Sequence, residues 1–525
     1  MDWHYIVIGA GAAGCAVAYR LSLAGHLPPV LLLEAGPDDT DPRIKVPSAF
    51  PQLLGSRFDW GYQTAPQRGA ESRQMRWPRG RVLGGSTSIN AMVYQRGHRA
   101  VYDEWAALGN PGWDYETMLP NFKRNQNQMR GNNKYHATGG PLNVEDQRDP
   151  NPMTIAMIEA ANNLGYPLNS DFNGAVQEGF GLFQVTQRKG IRHSAADAYL
   201  RPSQQNNLAW KTDAHVTRLL FDQDRCVGVE YMQLGELHQV RAKVEVLVCA
   251  GTINSPQLLM LSGIGPADHL REHGIDVIAD VPGVGQNLQD HPAMMLSWAT
   301  KHASSKLRRS RRVNKLAYKM IKRGKLASPL AEGGGFVTLG DEAICPDAQF
   351  HFIPDYFIGH GDHSPGGAGI TIAASAVRPR SRGAITLESS DPFAPPRIDP
   401  RYFDDPRDLE TLVEAAKLAR EFTRQKPLSK YIQTEYMPGA SITEDDHLAE
   451  VIRAHAQTMY HPAGTCKMGP ESDPMAVVDA NLHVRGVQGL RVIDASIMPT
   501  IANANINAAT QAIAEKGADL VRRKT

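Results

Sequence analysis

The stretch HYIVIGAGAAGCAVAYRLSLAG, from His4 to Gly25, decides the fold. Tyr5–Ile8 are β-forming residues in a continuous apolar run, which is typical of a buried parallel strand. Three glycines then complete a G-x-G-x-x-G pattern that leads into a helix. Gly9 makes the tight turn, Gly11 lets a pyrophosphate approach the backbone, and Gly14 lets the helix pack closely on the strand. The free N–H groups at the start of the helix favour an anion.

A second strand is predicted in PVLLLEAG, residues 29–36, and it ends in Glu34, 20 residues after Gly14. An acid at this distance contacts a ribose hydroxyl in dinucleotide-binding units. The strand before the glycines, the helix after them and the acid in register therefore predict a dinucleotide site. These first residues leave open whether the dinucleotide is NAD or FAD.

Composition is that of an ordinary globular protein and excludes several classes. The 525 residues suggest roughly two to four domains. A net charge of +1 gives no global attraction to nucleic acid. The five cysteines are far apart and form no CxxC pair, so we expect no metal site and no disulfide framework, as in a reducing compartment. No apolar run reaches the ~18–20 residues of a membrane span, and the N-terminus does not resemble a signal peptide, so we expect a cytoplasmic protein.

Two further stretches combine glycines with small polar residues. GRVLGGSTSINAMVYQRG, residues 80–97, predicts a backbone nest whose N–H groups can meet an anion or a polar ring. In AGTINSPQLLMLSGIGP, residues 250–266, Ser255 can cap a helix whose first position is Pro256 and which ends at Gly263. The second stretch by itself indicates a helix and no function.

Residues 293–455 differ in character from the rest of the chain. Alternating segments such as AQFHFIP and GITIAASAV predict antiparallel strands. PRDLETLVEAAKLAREFTRQ predicts an amphipathic helix. The sequence thus predicts an α/β Rossmann-like nucleotide-binding domain and a second α+β substrate domain built on a mostly antiparallel sheet.

Residues 301–325 are strongly basic, with eleven lysines and arginines and no acid. Their apolar residues, including Leu316 and Met320, fall at helical spacing. One interpretation is an amphipathic helix that lies on an anionic membrane surface. The other is a solvated helix that covers the substrate domain.

The stretch MYHPAGTCKMG, residues 459–469, holds His461 in an unusual setting. Pro462 disfavours a helical backbone at His461 and biases it toward an extended one. One interpretation is a loop that aims one imidazole. The other is a surface turn that happens to contain a histidine.

Together, these motifs resemble the glucose–methanol–choline (GMC) family of FAD-dependent oxidoreductases over nearly the whole chain. The first family signature resembles residues 80–105 and the second resembles residues 251–265. YHPAGTCKMG and GLRVIDASIMPTIANANINAATQAIAE resemble the C-terminal part. Within the family, WPRGRVLGGSTSINAMVYQRG and YHPAGTCKMG are most similar to the choline dehydrogenases and bacterial aliphatic alcohol dehydrogenases.

The resemblance implies that the dinucleotide is FAD. It implies FAD contacts at Gly9, Gly11, Ala12, Ala13, Gly14, Glu34, Ala35, Trp60, Leu83, Gly85, Ser86, Asn90, Ala91, Met92, Val93, Val216, Asp494, Ala495, Asn505 and Ile506. Some members attach FAD to a histidine just before the asparagine here numbered 90. This chain has Ile89 there, so we expect FAD to be non-covalent.

The family's catalytic histidine falls on His461, and its partner, a histidine or an asparagine, falls on Asn505. A neutral imidazole can take the hydroxyl proton as the alcohol carbon gives hydride to the flavin. Asn505 can stabilise the developing alkoxide. Near Asn505 the chain departs from the family pattern, with Ala504 and Ala509 in place of a glycine and a proline.

The resemblance implies oxidation of a primary alcohol to an aldehyde, with electrons passed to a quinone-like acceptor. Alternatives are an oxygen-using oxidase that makes hydrogen peroxide, a choline dehydrogenase, and a non-redox lyase or decarboxylase on the same fold. Residues 1–155, 201–292 and 455–525 are predicted to form the FAD-binding domain, and 156–200 and 293–454 the substrate domain. The expected partners are a small alcohol, a quinone-like acceptor or oxygen, and, through residues 301–325, the inner face of a membrane.

Overall fold

Two seven-stranded sheets organise the chain in a computed structural model that describes residues 3–23, 28–203, 205–301, 311–341 and 343–523. In chain order their strands are β1 (Trp3–Ile8), β2 (Val30–Leu33), β3 (Gly179–Leu182), β4 (Leu208–Lys211), β5 (Ala214–Asp222), β6 (Arg225–Gln233), β7 (Glu236–Val248), β8 (Pro292–Thr300), β9 (Gly333–Val337), β10 (Ala348–Ile353), β11 (Gly369–Ala376), β12 (Ile432–Met437), β13 (Gln457–Thr458) and β14 (Leu490–Val492).

The first sheet is the predicted Rossmann-like sheet, with strand order β4-β2-β1-β7-β6-β5 and β14 beside β7. β1 lies between β2 and β7 and is parallel to both. Its residues Tyr5–Ile8 are buried, as an apolar run covered on both faces requires. β5 and β6 extend this parallel core as antiparallel strands.

The second sheet is antiparallel throughout, with order β12-β8-β11-β10-β9-β3 and β13 beside β8. The two alternating segments predicted as strands form β10 and β11, which pair with each other. The two sheets confirm the predicted fold class.

The helices are α1 (Ala12–Ser22), α2 (Pro42–Lys45), α3 (Arg99–Ala107), α4 (Tyr115–Asn125), α5 (Pro152–Asn163), α6 (Gly251–Leu261), α7 (Ala267–Glu272), α8 (Arg311–Ile321), α9 (Pro406–Arg424), α10 (Lys426–Ser429), α11 (Asp445–His455) and α12 (Asn507–Arg522). Short ladders join Tyr62–Gln63 with Arg76–Trp77, Gln126–Gln128 with Leu142–Val144, Gln187–Arg188 with Ile191–Arg192, Ile264–Gly265 with Ala279–Asp280, and Ala384–Thr386 with Arg397–Asp399. In the described part of the chain, none of the helices combines the length and apolar character needed to cross a bilayer.

The predicted start of α6 is wrong. The helix begins at Gly251, so Pro256 lies inside it rather than at its first position. The Ser255 hydroxyl does not cap the helix; it donates to Asp494 Oδ2 at 2.6 Å. Asp494 Oδ2 also accepts the Gly251 N–H at 2.8 Å. The observed start of α6 is thus satisfied by Asp494, a residue distant in sequence, and not by a local cap.

The predicted domain boundaries stay a prediction. The strands of the first sheet fall within 1–155, 201–292 and 455–525, but β13 joins the second sheet from within 455–525. Residues 302–310 of the basic segment lie outside the described residues, and α8 is the helix that follows them.

Candidate active site

A cavity of about 300 Å³ extends from the carboxyl ends of β1 and β2 to the face of the second sheet. Gly9 and Glu34 line one end, and His351 and Ile353 of β10 line the other. Crevices beyond the carboxyl ends of parallel strands are where α/β sheets bind their ligands.

Glycines shape the first end of the cavity. A Cβ on Gly14 would lie 1.8 Å from the carbonyl oxygen of Gly9, so only glycine lets α1 pack on β1 this closely. A Cβ on Gly85 would lie 2.7 Å from Gly11 Cα. α1 starts at Ala12 with no side-chain cap, and the first N–H groups of a helix have no partner within it. The backbone here fits the pyrophosphate of a dinucleotide.

Glu34 is buried beside these glycines. Its carboxylate accepts the Ala10 N–H and the Gly36 N–H, each at 2.9 Å. Burial raises the pKa of this carboxyl to about 7, against the opposing hydrogen bonds from Gly36 and Ala10. Each oxygen keeps acceptor capacity for a hydroxyl, so the site fits the adenosine ribose of a dinucleotide.

His461 is held in place by the second sheet. β13 pairs with β8, with Thr458 opposite Pro292, and this brings His461 against the residues that precede β8. The His461 N–H donates to Asp290 Oδ1 at 2.8 Å. His461 Nδ1 lies 3.0 Å from His291 Nδ1.

Asn505 holds the other nitrogen of this imidazole. Its Nδ2 lies 3.1 Å from His461 Nε2, and its Oδ1 accepts a hydrogen bond from Gln349 Nε2 at 3.1 Å. Because the amide oxygen faces a donor, the amide nitrogen donates to His461. In this orientation of the two amides, His461 accepts at Nε2 and carries its proton on Nδ1, which donates to His291 Nδ1.

His461 is kept neutral by its surroundings. Burial, then the neighbouring His291, His351 and Arg79, hold its pKa well below the usual value. Burial also lowers the pKa of His291 to about 3 and that of His351 to about 4. A cavity-facing imidazole that is uncharged at neutral pH can act as a base.

The end of the cavity beside His461 is apolar. It is lined by Phe50, Leu54, Val93, Met295, Leu330, Ala331, Ile353, Phe357, Ala373, Met459 and Tyr460. Among the described residues that line the whole cavity, the carboxylates are those of Glu34 and Asp494. Both belong to the glycine-lined end, so none of the described carboxylates lines the apolar end.

The structure brings nearly all the predicted site residues together. Those that line the cavity are Gly9, Gly11, Ala12, Ala13, Glu34, Ala35, Trp60, Gly85, Ser86, Asn90, Ala91, Met92, Val93, Val216, His461, Asp494, Ala495, Asn505 and Ile506. Gly14 and Leu83 do not line it. Both are buried behind it, where Gly14 packs α1 on β1 and the Leu83 carbonyl accepts the Ser88 hydroxyl.

Sequence reasoning missed four polar residues of this site. Asp290 and His291 lie in the turn-rich segment before β8, and the pairing with β13 joins residues 170 apart in sequence. The His-Pro pair at 291–292 repeats the one at 461–462 and was a usable signal. Gln349 and His351 alternate along β10, so the period of two predicts that they share a face.

Comparisons with known proteins agree with this geometry. GMC oxidoreductase models match residues 3–293 and residues 379–514. Alcohol dehydrogenase (acceptor) of Pseudomonas putida is 43% identical, covering 99% of this chain and 96% of that protein. Mitochondrial choline dehydrogenase of Homo sapiens is 42% identical, covering 99% of this chain and 90% of that protein.

Solved structures agree as well. Pyridoxine 4-oxidase from Mesorbium loti has a TM-score of 0.88 and 31% identity, covering 99% of both chains. Formate oxidase has a TM-score of 0.92 and 27% identity, covering 100% of this chain and 98% of that one. The resemblance inferred from the motifs is confirmed: the chain belongs to the GMC oxidoreductase family, whose typical cofactor is FAD and whose members act on CH–OH groups.

Proposed function

We propose that this protein oxidises an apolar or aromatic primary alcohol to an aldehyde and passes the electrons to a quinone-like acceptor. The observation that carries the proposal is the neutral imidazole of His461, fixed between Asn505 and His291 where the glycine-lined part of the cavity meets the apolar part.

The roles of the two side chains follow from their hydrogen bonds. An alcohol that replaces the direct contact between Asn505 Nδ2 and His461 Nε2 would accept a hydrogen bond from the amide and give its hydroxyl proton to the imidazole. The amide stabilises the oxygen as charge develops on it. His291 accepts from His461 Nδ1 and so keeps Nε2 unprotonated. When bound, FAD accepts the hydride that the alcohol carbon releases.

The residues that would hold FAD are those of the glycine-lined end. The N–H groups at the start of α1 would bind its pyrophosphate. Glu34 would bind its ribose, and the segment from Gly85 to Val93 would contact its ring. The side chain before Asn90 is Ile89, which has no atom able to bond to the flavin. FAD therefore binds non-covalently, and acid precipitation should release it from the protein.

The substrate class follows from the apolar end. A quaternary ammonium is recognised by aromatic faces, usually with a carboxylate nearby. Phe50 and Phe357 lie 6.0 Å apart and line this end with Tyr460, but no described lining residue there is acidic. The aromatic rings and the 42% identity to choline dehydrogenase keep choline as a second candidate. The lack of a carboxylate among the described residues of the apolar end favours an uncharged alcohol.

The acceptor is proposed from the relatives. The Pseudomonas putida protein is named an alcohol dehydrogenase (acceptor), whereas the structural neighbours include oxidases. The higher identity of the first, 43% against 31% and 27%, favours a dehydrogenase that uses a quinone-like acceptor.

The test is anaerobic mixing of purified holoenzyme with a medium-chain alcohol, benzyl alcohol or choline, while the visible flavin absorption is followed. We expect the two uncharged alcohols to bleach the flavin faster than choline does. Faster bleaching by choline would overturn the substrate class, and no bleaching by any alcohol would overturn the proposed oxidation. Adding air or a quinone to the bleached enzyme then separates an oxidase from a dehydrogenase.

A further inference from the structure

α8 turns its apolar side away from the protein. Leu316, Met320 and Ile321 are 59%, 73% and 57% exposed. Tyr318 is the residue that packs inward, and its hydroxyl donates to the carbonyls of Lys45 and Gly190 at 3.2 Å each. An amphipathic helix that covers a domain normally buries its apolar stripe, so the solvated-helix interpretation does not explain this orientation.

Exposed basic residues alternate in sequence with these apolar side chains. Lys315 and Lys319 are exposed on α8, and Arg323 is exposed just after it. The sequence of residues 301–325 contains eleven lysines and arginines and no acid. Apolar side chains between cations on one outward face fit a surface that is apolar inside and anionic outside, which is an anionic lipid bilayer.

The position of α8 relates this face to the cavity. The chain continues from α8 through a single 3₁₀ turn, Lys325–Ala327, to Leu330 and Ala331 in the apolar wall. That turn packs on residues 47–52, which supply Phe50 to the same wall. A surface bound by α8 would therefore lie beside the apolar end of the cavity.

We propose that α8 docks the protein on an anionic lipid surface, with Leu316 and Met320 inserted among the lipids and the flanking lysines and arginines on the headgroups. Docking brings the apolar end of the cavity to the bilayer, where apolar alcohols and quinones concentrate. The docking itself is independent of which alcohol is oxidised.

The test measures flotation of the holoenzyme with phosphatidylcholine vesicles and with vesicles containing phosphatidylglycerol. We expect binding to the anionic vesicles at least about tenfold tighter than to neutral ones, and weaker in high salt. The double variant L316D/M320D should lose at least about tenfold of this affinity. The matched control is L234D/L237D, because Leu234 and Leu237 are 91% and 56% exposed on the β6–β7 hairpin; it should bind as the wild type does.

Three outcomes would overturn the proposal. The wild type could fail to float with either vesicle, or L316D/M320D could float as well as the wild type. The wild type could also be a dimer that L316D/M320D makes monomeric without any vesicle binding, which would assign the face to a second copy of the chain. Flavin absorbance and oxidation of a water-soluble alcohol with a dye acceptor check that each variant is folded. Since flotation does not depend on turnover, failure of the docking is distinguishable from failure of the proposed function.

Discussion

At the scale of the residue, the chemistry of His461 is set by partners far away in sequence. Burial lowers its pKa, Asn505 makes Nε2 an acceptor, and His291 accepts the proton of Nδ1. The Asp290 carboxylate holds the backbone of His461 and itself accepts the Tyr402 hydroxyl. The site is thus a buried network in which each polar group positions the next.

Replacing His461 with alanine should slow flavin reduction by the alcohol about 10²–10⁴-fold, the usual contribution of a general base. The glycine-lined end is untouched, so FAD should stay bound. Anaerobic stopped-flow measurement of the bleaching rate checks this, with the exposed His363→Ala variant as control. An unchanged rate in His461→Ala would remove His461 from the mechanism.

At the scale of the element, the glycines at the junction of β1 and α1 meet two separate requirements, which are close packing and ligand binding. Gly14 serves packing, because a Cβ there would lie 1.8 Å from the Gly9 carbonyl oxygen. Gly11 serves the ligand, because it lines the cavity and a Cβ there would meet only Gly85 Cα, at 3.9 Å. The G-x-G-x-x-G pattern does not show this division by itself.

Gly14→Ala should lower the free energy of unfolding by about 3 kcal/mol or more, since the strand and the helix must separate to admit the methyl group. Gly11→Ala should leave the stability of the flavin-free protein within about 0.5 kcal/mol but weaken FAD retention. Urea unfolding of the flavin-free protein and FAD titration measure the two effects. Equal losses of stability in the two variants would contradict the division.

At the scale of the whole molecule, buried titratable groups make stability depend on pH. Burial lowers the pKa of nine described histidines, most strongly those of His193, His215, His291, His351, His360 and His461. Below pH 6.5 the unfolded chain protonates these histidines while the native protein does not, so acid favours unfolding. Glu34 and Asp290 act in the opposite sense, because their pKa values are raised to about 7 and about 6. The nine histidines outnumber these two carboxyl groups, so the net effect is a loss of stability in acid.

The free energy of unfolding should therefore fall as the pH decreases from 6.5 toward 4.5. Each histidine contributes about 1.4 kcal/mol per pH unit once its unfolded form is protonated. His193→Asn keeps an acceptor for the Asn143 N–H and should reduce this slope by one such contribution. His363→Asn, at an exposed position, should leave the slope unchanged. Urea unfolding at several pH values provides the measurement, and equal slopes in the wild type and His193→Asn would contradict the explanation.

The sequence by itself determined the local elements and the family. The apolar run of β1 and the spacing of Gly9, Gly11 and Gly14 require a strand, a turn and a helix, because short-range sterics and burial act within a few residues. The alternation in β10 and β11 likewise fixes a strand with two different faces. His461 and Asn505 were identified through the resemblance of whole motifs.

Only the tertiary structure decided how distant groups meet. The pairing of β8 with β13 brings Asp290 and His291 to His461, and no local pattern encodes a register between strands so far apart. The sequence likewise could not predict that Asp494 satisfies the start of α6. Its hydrogen bonds to Ser255 and Gly251 join residues 239 and 243 positions apart. The sequence also left undetermined which side of α8 faces outward. Helical periodicity shows that a helix has an apolar face, and packing against the rest of the molecule decides which way that face points.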